Sequence, residues 1–478
     1  MAEQKDMDRR QFLKVLGGAG IATAAVASGC AGPNDSVAEG FQEGEVPADQ
    51  MTYRKNTHGL DASILGYGMM RLPSTNGGPA KEETDEIDQE LVNKEVDYAI
   101  AHGLTYFDTA PVYCKGRSER VVGIALSRHK RSEYTIATKM SNMRNNSSRE
   151  SSIEMYRNSL KELQVDYLDY YLLHSIGGSK GEPGSPDYKD PMALFNMRFI
   201  DNGILDFLMA EREAGRIKNL GFSFHGSQEV FDHALSMHDK VHWDFVQIQM
   251  NYVDWKHADE ISDHNVKAEY LYNELYKRQI PVVIMEPLLG GRLADMPEHI
   301  VQELKSREPQ RSIASWAFRF CGTHPGVMTV LSGMTYMEHL QDNIRSFAPL
   351  KPLNDEELAM LERMAVEYVS YPLVPCTGCE YCMPCPYGLD IPSIFRHYNK
   401  CVNEGSVVRD TNGEVDSEYR KARRAFLVGY DRSVPKLRQA DHCIGCGKCM
   451  EHCPQGIQIP IEMRRINNYA EDLKKSKL

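Results

Sequence analysis

A carboxylate and a phenol stand five residues apart in Phe107-Asp108-Thr109-Ala110-Pro111-Val112-Tyr113, at the end of a short apolar run that reads as a strand over Leu104–Phe107. Pro111 forbids carrying that strand further, because it has no N–H to give a ladder. A phenol is a poor acid at neutral pH, with an ordinary pKa of about 10. A nearby ammonium favours the phenolate and lowers that value, and a carboxylate can hold the ammonium in place. Lys139 ends the next strand-like run, Tyr134–Thr138, and His174 ends the one after, Tyr167–Leu173. Three successive strand ends therefore supply Asp, Tyr, Lys and His, a set suited to delivering a proton to an oxygen. Each residue alone has a plainer reading, as a buried tyrosine, a solvated lysine or a histidine that caps a strand. Four at matching strand ends do not.

A second chemistry sits near the other end. Of 12 cysteines, eight fall in two runs, Cys376-x2-Cys379-x2-Cys382-x2-Cys385-Pro386 and Cys443-x2-Cys446-x2-Cys449-x3-Cys453-Pro454. The second run has the spacing of the bacterial [4Fe-4S] motif, whose fourth cysteine serves the other cluster where two are present. Four-thiolate zinc is the rival, and disulfides within such short spacings are disfavoured by geometry. Two [4Fe-4S] clusters are expected, one on Cys376, Cys379, Cys382 and Cys453, the other on Cys443, Cys446, Cys449 and Cys385. The first run is one residue short before its last cysteine, so either Cys385 still reaches the neighbouring cluster or Cys401 replaces it. Cys114 and Cys321 read as ordinary small side chains.

These residues need a scaffold. Between Met51 and Phe347 short apolar runs alternate with amphipathic stretches. The strand candidates are Ile64–Gly68, Leu104–Phe107, Tyr134–Thr138, Tyr167–Leu173, Asn219–Ser223, Phe245–Gln249, Val282–Met285 and Met328–Leu331. Helical patterns cover Glu90–Ala101, Ile153–Leu163, Glu229–Met237 and Leu271–Arg278. Strand–helix alternation means parallel pairing with right-handed crossovers, and eight units close into a (β/α)8 TIM barrel. A doubly wound sheet is the alternative, but no Gly-rich fingerprint follows the first strand. The chemistry of a barrel lies at the C-terminal strand ends, where all four residues fall. Pro349 to Leu353 reads as a linker. Beyond it, 354–478 reads as a mainly helical, ferredoxin-like iron-sulfur domain with helices over Glu356–Tyr368, Ile391–Val402, Ser417–Leu427 and Ile461–Leu473.

Residues 51–347 resemble the aldo-keto reductases, a (β/α)8 family that passes hydride between a nicotinamide and a carbonyl. The motifs that carry the resemblance are Phe107-Asp108-Thr-Ala-Pro-Val-Tyr113, Ala137-Thr138-Lys139, Leu173-His174 and Gly221-Phe222-Ser223. The resemblance implies that Tyr113 is the general acid, that Lys139 depresses its pKa, that Asp108 pairs with Lys139, and that His174 orients the substrate carbonyl. It also implies a nicotinamide cofactor, NADP or NAD. Ser223 and Gln249 would lie at its carboxamide. Pro287, Leu288, Gly290 and Arg292, with Ser332, Gly333 and Met334, would lie at its pyrophosphate and adenosine end, with Asn343 at the adenine. The sequence departs from the family pattern at Phe224 and His225, where an asparagine is usual, at Met285, where a tyrosine often stacks, and at His339, the usual arginine position for a 2′-phosphate. An insertion over 177–187, rich in Gly, Ser and Pro, reads as a loop above the barrel mouth, either a substrate lid or a surface excursion.

The net charge of −12 argues against a nucleic-acid partner. No apolar run reaches the roughly 18 residues of a membrane span. Asp8-Arg9-Arg10-Gln11-Phe12-Leu13-Lys14, followed by an uncharged Gly- and Ala-rich run, resembles a twin-arginine export signal over residues 1–30. Ala27-Ser28-Gly29-Cys30 resembles a lipoprotein cleavage site, with Cys30 the lipidated residue and 31–50 a tether. The expectation is an exported oxidoreductase, periplasmic or membrane-anchored through Cys30. It would reduce a small carbonyl, or oxidise an alcohol, with electrons relayed through the clusters from a redox partner protein. The competing readings are a non-catalytic electron carrier that uses the barrel as a docking platform, and a reductase whose clusters are structural only.

Overall fold

The computed structural model describes residues 46–143, 147–178, 189–262, 265–407 and 417–475. The expected export signal with Cys30, residues 31–45 of the tether and residues 179–187 of the insertion lie outside these. Eight parallel strands close into a barrel: β1 (Leu65–Gly68), β2 (Tyr106–Asp108), β3 (Thr135–Met140), β4 (Leu168–Ile176), β5 (Ile217–Phe224), β6 (Phe245–Gln249), β7 (Val282–Met285) and β8 (Val327–Ser332). Closure comes from β8 pairing with β1, Val330 opposite Leu65 and Ser332 opposite Tyr67. Every expected strand is present: Phe245–Gln249 and Val282–Met285 fall as expected, and the other six are shifted by one to three residues at one or both ends. The shifts matter for the chemistry, because Lys139 and His174 lie inside β3 and β4 rather than just past them.

Period-two alternation decides which side chains enter the barrel. Tyr106, Ala137, Tyr170, Leu172, Phe245, Val283 and Met328 form a core inside it, with Tyr106–Tyr170 and Tyr170–Phe245 ring centroids 4.8 and 5.1 Å apart. Their neighbours Phe107, Ile136, Tyr171, Leu173 and Val246 belong instead to the larger core under the helices. Asp108, Lys139, His174, Gln249 and Met285 share the parity of the interior residues, so each projects from the C-terminal end of its strand into the mouth. The opposite end carries an antiparallel hairpin, Tyr53–Lys55 with Asp61–Ser63, not anticipated from the sequence. Asn56 beside it donates to the Tyr170 hydroxyl at 3.0 Å.

The domain boundary differs from the expected one. Helix Asp355–Val369 starts at a capping box between Asn354 and Glu357. It buries Met360, Leu361, Met364, Ala365 and Tyr368 in the barrel's own core. A separate core begins at Val374, where Ile394, Phe395, Tyr398, Phe426, Tyr430, Met463 and Ile466 join helices Ile391–Asn403, Ser417–Ser433 and Ile459–Lys475. The helical tail therefore starts at Val374, not at 354. Among the described residues no helix is long and apolar enough to cross a membrane.

Candidate active site

The four residues from three strand ends meet. The Lys139 ammonium lies 2.5 Å from the Asp108 carboxylate and donates to the Thr109 carbonyl at 2.8 Å. It also stands 4.7 Å from the centre of the Tyr113 ring, and the Tyr113 and His174 rings are 6.0 Å apart, edge to face. Tyr113 alone comes from a turn, Tyr113–Gly116. Cys114 and Lys115 adopt φ of 49° and 56° there, strained for residues with a side chain. Asp108, Lys139 and His174 are all buried.

One expectation is corrected. The ammonium lies over the Tyr113 ring and pairs with Asp108, and the net shift of the phenol is upward, not toward acidity. Burial pushes the Tyr113 hydroxyl well above the ordinary phenol range, the charges of Asp108 and Glu286 push it the same way, and the Tyr381 hydroxyl opposes them. Burial pushes Asp108 up and Lys139 down, and their mutual attraction opposes both. His174 is driven well below its ordinary value by burial, then by Lys139, Arg198 and His225, so it is neutral at physiological pH. Its Nδ1 lies 2.6 Å from the Ser141 hydroxyl, which leaves Nε2 for a substrate oxygen. The arrangement presents a protonated phenol and a neutral imidazole side by side.

Sequence reasoning missed the residues that hold this set. Arg198 donates to the His174 carbonyl at 2.6 Å and to the Ser175 carbonyl at 3.0 Å. It comes from a one-turn π-helix, Asn196–Ile200, an irregularity found at functional sites. Thr138 donates to the buried Glu119 at 2.6 Å. Tyr381 comes from the cysteine-rich tail, between Cys379 and Cys382, and reaches Tyr113. No periodicity or motif marks Ser141, Arg198 or Tyr381, since only the folded chain brings them to the mouth.

Most of the residues assigned to a nicotinamide dinucleotide are engaged by other parts of the chain. Ser223 accepts the Ser175 backbone N–H at 2.8 Å. Gln249 donates to Asp254 at 2.8 Å and accepts from the Gln455 side-chain amide at 3.0 Å. Arg292 donates to the Val374 carbonyl at 3.3 Å, and Gly290 lies so close to Thr377 that a Cβ there would overlap its backbone. Pro287 is buried and Leu288 is packed against the barrel core. Asn343 donates to Ser332 at 2.9 Å, closing the adenine end on itself, and Met334 is buried with its carbonyl accepting from Tyr67 at 2.7 Å. Gly333 is exposed beside Arg71, and His339 packs edge to face on Tyr336. The chain's own tail thus engages both the loop assigned to the pyrophosphate and the residue assigned to the carboxamide.

The cysteines group across the two runs. Cys376, Cys379, Cys382 and Cys453 line one cavity. Cys449 lies within electrostatic reach of Cys385, Cys443 and Cys446, and Cys382 within reach of Cys449, so the two groups are neighbours. Cys401 is elsewhere, buried with its Sγ 3.5 Å from His397 Nε2. Cys114 and Cys321 each point their Sγ at a backbone carbonyl, 3.3 Å away. Among the described residues no three His, Cys, Asp or Glu side chains converge as a single metal ion needs. Tetrahedral zinc holds each sulfur at about 2.3 Å. The four thiols around this cavity supply the ligand chemistry of a [4Fe-4S] cluster, and the residues fit one.

Residues 64–366 match the aldo/keto reductase family, and residues 375–458 match a 4Fe-4S dicluster domain. The uncharacterized oxidoreductase YqkF of Bacillus subtilis is 26% identical over 335 residues, 64% of this chain and 94% of that protein. The aldo-keto reductase YhdN of the same organism is 35% identical over 123 residues, 24% of this chain and 35% of that protein. Among solved structures, the thermostable aldo-keto reductase Tm1743, in complex with the inhibitor epalrestat, superposes with a TM-score of 0.50 at 21% identity, over 66% of this chain and all of that one.

Proposed function

The chain belongs to the aldo/keto reductase family, and on that premise we propose that it reduces a small carbonyl compound, or oxidises the matching alcohol, at the barrel mouth. The observation that carries this is the convergence of Tyr113, His174 and the Lys139–Asp108 pair at one end of the barrel. In the reducing direction the carbonyl oxygen sits between the Tyr113 hydroxyl and His174 Nε2. His174 donates a hydrogen bond to it and Tyr113 gives it a proton as negative charge develops. The Lys139–Asp108 pair fixes the face against which Tyr113 packs, and Arg198 holds the backbone of His174 in position.

Cys376, Cys379, Cys382 and Cys453 would hold one [4Fe-4S] cluster, and Cys385, Cys443, Cys446 and Cys449 a second. Such clusters, when bound, exchange single electrons. Overall, one carbonyl takes up two electrons and two protons to become an alcohol, and two reduced one-electron carriers are oxidised. The partner is accordingly a small redox protein. Export by the twin-arginine route, with anchoring through Cys30, suits a protein folded around its metal before crossing a membrane.

The test uses anaerobic, cluster-loaded protein with reduced methyl viologen as donor and a panel of aldehydes and ketones, with alcohol formed as the readout. Tyr113→Phe should lower the rate by about 10²–10⁴-fold, the usual worth of a positioned acid. Viologen oxidised at an unchanged rate with no alcohol formed, in both proteins, would instead mark the chain as an electron carrier.

A further inference from the structure

We infer that the tail stands permanently in the place where relatives of this fold would hold a nicotinamide dinucleotide, with the Gln455 side chain acting as an internal substitute for the nicotinamide carboxamide. The inference rests on the family reading for which residues make up that site. It departs from that reading on what fills it.

The decisive pair is Gln249 and Gln455. Gln249 projects from the end of β6 toward the mouth, and Gln455 lies two residues beyond Cys453. The group that Gln455 offers is a primary amide, the same group a nicotinamide would present, and it donates to Gln249 Oε1 at 3.0 Å. It is held on its other sides as well. Its Oε1 accepts from Asn265 at 3.2 Å and its backbone carbonyl from Ser262 at 2.5 Å. At 1% exposure it is shut away from solvent. A dinucleotide that sought Gln249 would have to break this set and leave buried amide groups without partners, which is costly.

The phosphate end is filled by a different part of the tail. Val374 to Thr377 lies over the loop that follows β7. Thr377 abuts Gly290, where a backbone free of any side chain could otherwise approach a pyrophosphate. Arg292, the charge available to a phosphate there, is turned to the Val374 carbonyl. Arg71 donates to the Thr377 carbonyl at 2.7 Å and lines Gly333. An ion pair between Lys81 and Glu380, 3.2 Å apart, fastens the same loop to the barrel rim. Two separate stretches, one before the first cysteine run's second ligand and one after the last ligand of the second run, thus occupy the two ends of one site. Cys376 lies in the first stretch, Cys379 two residues beyond it and Cys453 two residues before Gln455, so loading the cluster fixes the plug. The loop between them brings Tyr381 to Tyr113. What faces the proton donor is the cluster-bearing loop.

The experiment titrates anaerobic, cluster-loaded, full-length protein with NADPH and NADH. Cluster absorbance is recorded to show that the metal stays bound, nucleotide fluorescence reports binding, and hydrogen exchange is followed over 287–292, 374–377 and 455. The expected result is no saturable binding at 1 mM nucleotide, about 1,000-fold above a Kd of 1 μM. Exchange at all three segments should be slow without nucleotide and unchanged by it. One equivalent bound in the micromolar range, with altered exchange over 287–292 and 374–377, overturns the inference. Binding that leaves 287–292 unchanged lies elsewhere on the chain, and the inference stands. The functional reading fails separately: nucleotide binding with Tyr113-dependent alcohol formation would overturn only the plug, and absence of alcohol formation with either donor would overturn only the activity.

Discussion

Tyr113 keeps its proton because burial disfavours the phenolate, although an ammonium lies over its ring. Residue types could be read, and so could the strand ends that carry them. The direction of the pKa shift could not, since burial outweighs the ion pair. Glu95 shows the same physics away from the mouth. It is buried on helix Gln89–Ala101, and its Oε2 lies 3.0 Å from the Tyr67 hydroxyl. Burial, then Glu338 and Asp88, raise its carboxyl to about 8 against the Tyr67 hydroxyl. A carboxyl raised on folding stabilises fully below its unfolded value, near 4.5, and that contribution is lost as pH climbs through 8. Glu95→Gln should therefore melt close to the parent at pH 4.5 and several degrees above it at pH 8.5. Differential scanning across that range checks it, and a gap that stays constant with pH would assign the effect to packing alone.

Strained turns at the C-terminal ends of the strands aim the side chains of this site. Cys114 after Tyr113, Ser175 after His174, and Glu286 and Leu289 after β7 all have positive φ, and each turns the chain as soon as a functional residue has been placed. Gly290 and Gly291 continue the last of these turns at φ of 72° and 99°. They differ in one respect: a Cβ on Gly290 would overlap Thr377, and one on Gly291 would meet nothing within 4 Å. Gly291→Ala should thus cost only backbone strain, on the order of 1 kcal/mol. Gly290→Ala should cost that strain and also push the Val374–Thr377 stretch off the barrel. The second effect is read as faster bleaching of cluster absorbance under a chelator, several-fold for Gly290→Ala and near unity for Gly291→Ala. Equal bleaching in the two variants would mean that the tail does not bear on this loop.

Eight parallel strands and two cysteine runs were legible because each leaves a local mark, either a short apolar run between turn residues or a fixed spacing. How the two halves meet leaves none. The dinucleotide residues were read from a family pattern, and the tail that engages them is separated from them by at least 82 residues of chain, from Arg292 to Val374. The boundary was misplaced for a related reason. An amphipathic helix after a Pro-rich linker reads as the start of something new, and nothing in its pattern tells which core receives its apolar face. In the fold that face joins the barrel: Met360, Leu361, Met364 and Tyr368 are each at most 2% exposed. The buried Arg319 also relies on this segment, since its Nε donates to the Lys351 carbonyl at 2.9 Å and its guanidinium pairs with Glu357 at 3.4 Å. Two truncations separate the possibilities, one ending at Leu353 and one at Ser370. Both remove every cluster cysteine, so they differ only in the helix. Burying large apolar side chains contributes roughly 1.5–3 kcal/mol each, and Glu357 adds a partner for a charge that has no water. The longer truncation should unfold cooperatively in urea, and the shorter should lose several kcal/mol or fail to fold. Matching midpoints would return the helix to the tail and move the boundary back to the linker.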